Sequence, residues 1–158
     1  EMIQNILAIR FGNSLFEPLW NANYIDNIQI TSNEFLGVEN RGTYYEKTGI
    51  LKDMLQNHLL QMLTMIAMEP PVDFDPESIR DEKVKVLRSL RLFTSESFKE
   101  NIVRGQYGSG IINGMNVVGY REESRVSKES NTDTFIALKT YIDNFRFGGV
   151  PKIGRAHV

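Results

Sequence analysis

The chain has 158 residues, enough for one domain of ordinary size, and 41% of them are apolar, enough to build a core. Its 18 lysines and arginines nearly balance 20 aspartates and glutamates, so no global positive field exists to hold nucleic acid or an anionic membrane surface. Cysteine is absent, which excludes disulfides and thiolate metal sites and is compatible with a reducing, cytoplasmic setting.

The chain opens inside a helical pattern, with Ile3, Ile6, Leu7 and Arg10 at helical spacing and no N-cap before them. Neither a starting methionine nor a secretory leader opens it. Pro18 and Trp20 carry an irregular link into a strand over residues 25–31, where Ile28 and Ile30 alternate with polar neighbours. Residues 34–48 have the glycine-rich, polar composition of a loop that positions side chains. A long helix is predicted from Tyr44 or Gly49 to Met68, with Leu51, Leu55, Leu59, Met62 and Ile66 as its buried stripe, ended by Pro70-Pro71. Charged and polar residues from Lys52 to Gln61 interrupt that stretch, so it reads as a core helix and not as a membrane span. Asp75-Pro76 starts the next helix, with Ile79, Val86, Leu87 and Leu90 buried and Arg80-Asp81-Glu82-Lys83 on a solvated face. A short strand over 102–107, an irregular surface excursion over 108–133 and a strand over 134–145 come next, the last with Ile136, Leu138 and Ile142 facing one way.

The last six residues, 153–158, read as the literal translation of ATC-GGA-AGA-GCA-CAC-GTC, the start of a common sequencing adapter. They are expected to be a non-native tail, and His157 within them to carry no functional weight.

That leaves His58 as the histidine available for chemistry. With one histidine, no cysteine and scattered carboxylates, no metal site is expected. No nucleophile elbow and no Gly-rich phosphate loop are found either. A histidine in a cleft can accept a proton from an alcohol without a metal. A lone histidine on an apolar helix is more often a hydrogen-bonded core residue, however, and spacing alone does not choose. Asp53 and His58 stand five residues apart, about 140° around an ideal α-helix, so separate roles are expected for them. Glu34, at the end of the first predicted strand, could accept hydrogen bonds from sugar hydroxyls or be merely solvated.

A series of local strings in one order decides between these readings. Glu1-Met2-Ile3-Gln4-Asn5, Arg10-Phe11-Gly12-Asn13, Gly37-Val38-Glu39, the run from Gly49 through Asp53-Met54-Leu55-Gln56-Asn57-His58 to Gln61, Ala67-Met68-Glu69-Pro70, Gly105-Gln106-Tyr107, Thr132-Asp133-Thr134-Phe135 and Gly149-Val150-Pro151 resemble the glucose-6-phosphate dehydrogenases. The resemblance covers the chain up to Pro151. It implies an α+β fold, long helices on part of a mainly antiparallel sheet, in a parent enzyme with an N-terminal Rossmann domain. Residues 1–24 would be the edge of the coenzyme domain and a link, and residues 25–152 the first part of the C-terminal domain. It further implies oxidation of glucose 6-phosphate to 6-phosphogluconolactone, with hydride passing to NADP. His58 matches the family's catalytic base, and Glu34 and Asp53 match its sugar-binding carboxylates.

NADP would be held by residues outside this chain, which has no cofactor-binding residue of its own, so the chain alone is expected to be inactive. The parent is expected to be a cytoplasmic homodimer or homotetramer with no nucleic-acid or membrane partner. Phe147 stands where the family usually has tryptophan, and Lys152 where it has an aromatic or apolar residue. The competing reading is a catalytically dead relative that senses sugar phosphate or serves assembly; retention of His58 argues against it.

Overall fold

The structure, a computed structural model, describes residues 2–158, with side chains from Asn5 onward, so Glu1 and the side chain of Ile3 lie outside the described residues. In chain order it contains α1 (Met2–Phe11), β1 (Ile28–Asn33), α2 (Gly42–Ile50), a π-helical segment (Leu51–Leu59), α3 (Leu60–Ala67), α4 (Pro76–Arg88), α5 (Ser95–Asn101), β2 (Ile102–Gly105), β3 (Gly110–Ile112), β4 (Met115–Val117), β5 (Phe135–Thr140) and β6 (Lys152–His157). Four strands form a sheet in the order β1-β6-β5-β2, and β3 and β4 form a separate hairpin. β2 runs antiparallel to β5, Ile102 opposite Leu138 and Gly105 opposite Phe135. The amides of Ile28 and Glu34 donate to the carbonyls of Pro151 and His157, and partners that advance together mark a parallel pairing of β1 with β6. The sheet is therefore mixed, one parallel pair added to the antiparallel pairing expected.

The chain forms two compact units: residues 1–30, 60–101 and 139–153 make the first, and residues 31–59, 102–138 and 154–158 the second. The first unit is built on Ile28, Leu63, Ala67, Met68, Val86, Ile142, Phe147 and Val150, against which Leu7, Phe11, Trp20, Ile66 and Ile79 pack. Phe147, which stands where the family usually has tryptophan, is fully buried. Arg10 is also fully buried: its spacing puts it on the apolar face of α1, although its charge gives no sign of an interior position. Its guanidinium donates to the Met65 carbonyl at 2.8 Å and the Met68 carbonyl at 2.9 Å, while the Trp20 indole donates to the Ile66 carbonyl at 2.8 Å. These are the carbonyls that the end of α3 leaves without intrahelical donors, so a cation and an indole cap the helix from its flank. Glu17 neutralises Arg10 at 3.3 Å and Arg146 at 2.8 Å.

α4 begins as expected, the Asp75 carboxylate accepting from the amides of Glu77 and Ser78. Its faces differ in detail from the expectation. Glu82 is buried and paired with Lys85 at 2.6 Å, Lys83 donates to the Gln61 side chain, and Leu87 is exposed. α5 was not expected. Thr94 precedes it, and its hydroxyl accepts from the Ser97 amide at 3.2 Å, which is an ordinary N-cap.

The single long helix expected to reach Met68 is three pieces. Gly49 has φ 58° and ψ 179°, a backbone conformation open essentially only to glycine, and it separates α2 from the π-helical segment. That segment winds for nine residues before α3 resumes. Wider turns rotate the buried face: Met54, Leu59, Leu63 and Ala67 are interior, whereas Leu51, assigned to the buried stripe, is exposed. The first strand lies slightly later than expected, and β5 ends at Thr140, beyond which Ile142 holds only a bridge to Leu90. The excursion over 108–133 is not irregular throughout. Asn113 and Gly114, both at positive φ, turn β3 into β4. The tail beyond Pro151 continues as β6, through backbone pairing that any non-proline side chains permit.

Candidate active site

Glu34, Asp53 and His58 all belong to the second unit. Glu34 follows the last residue of β1, where its amide donates to the His157 carbonyl at 3.1 Å. The strand end thus fixes its backbone while the carboxylate, half-buried, meets the exposed Arg41 guanidinium at 3.4 Å. Asp53 stands on the first turn of the π-helical segment and accepts from the Tyr44 hydroxyl at 3.2 Å. His58 stands near the other end of that segment, exposed, with no hydrogen-bonding partner among the described residues.

The π-helical winding changes one expectation. Hydrogen bonds that close from residue i to i+5 put more residues into each turn, so positions five apart lie closer to one face than the about 140° of an α-helix allows. Asp53 and His58 are such a pair. No hydrogen bond or ion pair joins them among the described residues, so the shared segment relates them by placement and not by contact.

Glu34 and Asp53 come within electrostatic reach of one group, Tyr45. Burial pushes its phenol pKa well above the usual range, and the charges of Asp53 and then Glu34 add to the shift. Tyr45 is fully buried, and its hydroxyl has no hydrogen-bond partner among the described residues. Tyr44, Tyr45 and Arg41, which surround the two carboxylates, were not singled out from sequence. The available signal was a pair of tyrosines shortly before the Gly49 break.

Beside Glu34 lies a cavity of about 480 Å³ lined by Phe35, Leu36, Tyr107, Val118 and Glu123 among others. Neither Asp53 nor His58 lines it. Among the described residues no group of three or more histidines and carboxylates could hold a metal ion, and no helix is long and apolar enough to cross a membrane. The segment thus presents an exposed imidazole together with a hydrogen-bonded aspartate.

The chain has well-defined relatives. Residues 7–156 match the family model for the glucose-6-phosphate dehydrogenase C-terminal domain, and the chain belongs to that family. It is 56% identical over 151 residues to the glucose-6-phosphate 1-dehydrogenase of Bacillus subtilis, covering 96% of this chain and 31% of that protein. It is 49% identical over 156 residues to the enzyme of the same name from Chlamydia pneumoniae, covering 99% of this chain and 30% of that one. Among solved structures, a glucose-6-phosphate dehydrogenase in complex with its substrate glucose-6-phosphate superposes with a TM-score of 0.86 at 42% identity, over 99% of this chain and 31% of that one. Glucose-6-phosphate 1-dehydrogenase from Mycobacterium avium gives 0.84 at 39% identity, over 98% and 32%. The chain thus spans about a third of the length of these relatives.

Proposed function

We propose that this chain is the sugar-facing part of a longer glucose-6-phosphate dehydrogenase, one that oxidises glucose 6-phosphate to its lactone with NADP as hydride acceptor. The observation that carries the reading is His58, exposed and without a hydrogen-bonding partner among the described residues, on the π-helical segment that also bears Asp53. Family membership supplies the chemistry, and one related structure is described as holding glucose 6-phosphate.

In this reading the His58 imidazole accepts the proton of the anomeric hydroxyl. Glu34 and Asp53 accept hydrogen bonds from other sugar hydroxyls and hold the reacting carbon in place, the orientation contribution to the rate. Arg41 and Tyr44, which engage those carboxylates in the free chain, would exchange partners as the sugar enters. A nicotinamide coenzyme would supply the hydride acceptor. No described strand leads through a Gly-rich phosphate-binding turn into a helix, so these residues do not fit a dinucleotide cradle and no step of the coenzyme is assigned to them. The 158 residues alone are accordingly expected to have no turnover. The full-length protein is expected to be a cytoplasmic homodimer or homotetramer, and the adapter-like residues 153–158 to be absent from it.

In the full-length protein, His58→Ala is expected to lower kcat by about 10²-fold or more while leaving glucose 6-phosphate affinity nearly unchanged. Turnover equal to wild type would reject His58 as the base.

A further inference from the structure

The segment that carries Asp53 and His58 does not inherit its orientation from α2. At Gly49 the backbone leaves helical geometry, so the hydrogen-bond ladder that would make α2 and the π-helical segment one rod is interrupted. Tertiary contacts at the joint must then set how the segment is aimed, and they come from residues 120–133.

Glu46, three residues before the break, accepts from the Tyr120 hydroxyl at 2.7 Å and from the Ser130 hydroxyl at 2.5 Å. Ile50, immediately after the break, donates its amide to the Asp133 carbonyl at 3.0 Å. The strap is itself held in place. The Gln106 side chain donates to the carbonyls of Ser130 and Thr132 at 3.1 and 2.9 Å, Arg121 donates to the Ser130 carbonyl at 2.8 Å, and Asp133 pairs with Arg104 at 2.8 Å. The Tyr120 ring packs edge-on against Tyr45 at 6.1 Å and against Tyr107 at 5.6 Å, and the Tyr107 hydroxyl accepts from the Val38 amide in the Glu34 loop. One strap therefore reaches both the joint and the loop that bears Glu34. Burial works to raise the Glu46 pKa, but hydrogen bonds from Ser130, Tyr120 and Thr132 outweigh it and hold the carboxyl below its usual range. The acceptor is thus a carboxylate at neutral pH, the form that takes two hydroxyl donors at once.

We infer that Glu46, clamped by Tyr120 and Ser130, is a positioning residue: it fixes the Gly49 joint and so aims His58 and Asp53 at the substrate. The inference rests on the functional reading above and adds residues that touch neither substrate nor coenzyme.

The test is steady-state kinetics of the full-length protein with glucose 6-phosphate and NADP. Glu46→Gln, which keeps the shape but turns one acceptor oxygen into a donor, is expected to lower kcat by roughly tenfold or more, the scale of a small misalignment of reacting groups. Tyr120→Phe combined with Ser130→Ala, which leaves Glu46 in place and removes its donors, is expected to reproduce the loss and serves equally if Glu46→Gln does not fold. A clamp acting through His58 is non-additive with it, so adding Glu46→Gln to His58→Ala should lower the residual rate by clearly less than it does in the parent. An unchanged kcat in the folded variants, or the same fold-loss in the His58→Ala background, overturns the clamp. A wild-type protein that does not oxidise glucose 6-phosphate overturns the functional reading and the clamp together.

Discussion

Lys152 is 2% exposed, and its ammonium donates to the carbonyls of Phe147 at 2.9 Å and Val150 at 2.7 Å. Burial pushes its pKa down to about 8. In the unfolded chain the same group titrates near ~10.4. Between these values the unfolded chain holds a proton that the folded chain has released, so stability rises with pH across that window, and below about pH 8 the full penalty stands. Its size is on the order of 3 kcal/mol, offset in part by the two hydrogen bonds. Lys152→Met is therefore expected to raise the urea midpoint at about pH 7 and to flatten the rise between about pH 8 and 10. A variant less stable than the parent, with the pH slope intact, would contradict this account. The position was legible in sequence as one where a lysine replaces an apolar residue; how the chain accommodates it was not, because carbonyl partners depend on the turn over 147–150. His58 differs. Its string is specific enough to mark it from sequence, but whether the imidazole is packed or exposed is a property of the folded segment.

At the scale of elements, apolar periodicity located a helix from Tyr44 or Gly49 to Met68 and could not reveal its division, while the loop composition of residues 34–48 masked the start of α2 at Gly42. The pattern is compatible with any helix whose face is buried, whereas the Gly49 break is flanked by hydrogen bonds joining Glu46 and Ile50 to Ser130 and Asp133, distant in sequence. Gly49→Ala tests the break. A Cβ there meets nothing nearer than 3.5 Å, so the cost is conformational and not steric, about 1–3 kcal/mol for a side chain held in that region. Chemical denaturation should show the loss, and in the full-length protein turnover should fall with it, since the break aims the segment bearing Asp53 and His58. A neutral Gly49→Ala would mean that the joint can close into continuous helix without consequence. The Asn113-Gly114 hairpin is the opposite case: a two-residue turn signal legible in sequence, obscured by the long polar excursion around it.

At the scale of the whole molecule, each compact unit is assembled from three separate stretches of chain, so neither can form from one continuous segment. Large apolar side chains stay at the surface, with Phe35 84%, Leu92 88% and Val72 95% exposed, the condition under which chains associate. The isolated polypeptide is expected to elute as aggregate or to melt without a sharp transition, and a monodisperse monomer with a cooperative calorimetric peak would refute that. The sequence by itself determined the family, the α+β class and the helix start at Asp75, because local strings, caps and apolar spacing are written along the chain. Tertiary structure alone decided that the sheet is mixed, that Arg10 and Glu82 are interior, that Glu34 and Asp53 act on one buried tyrosine and that a strap fixes the Gly49 joint. Each of these depends on which distant segments meet, and an interior charge or a broken helix is stable only once its partners from elsewhere in the chain are in place.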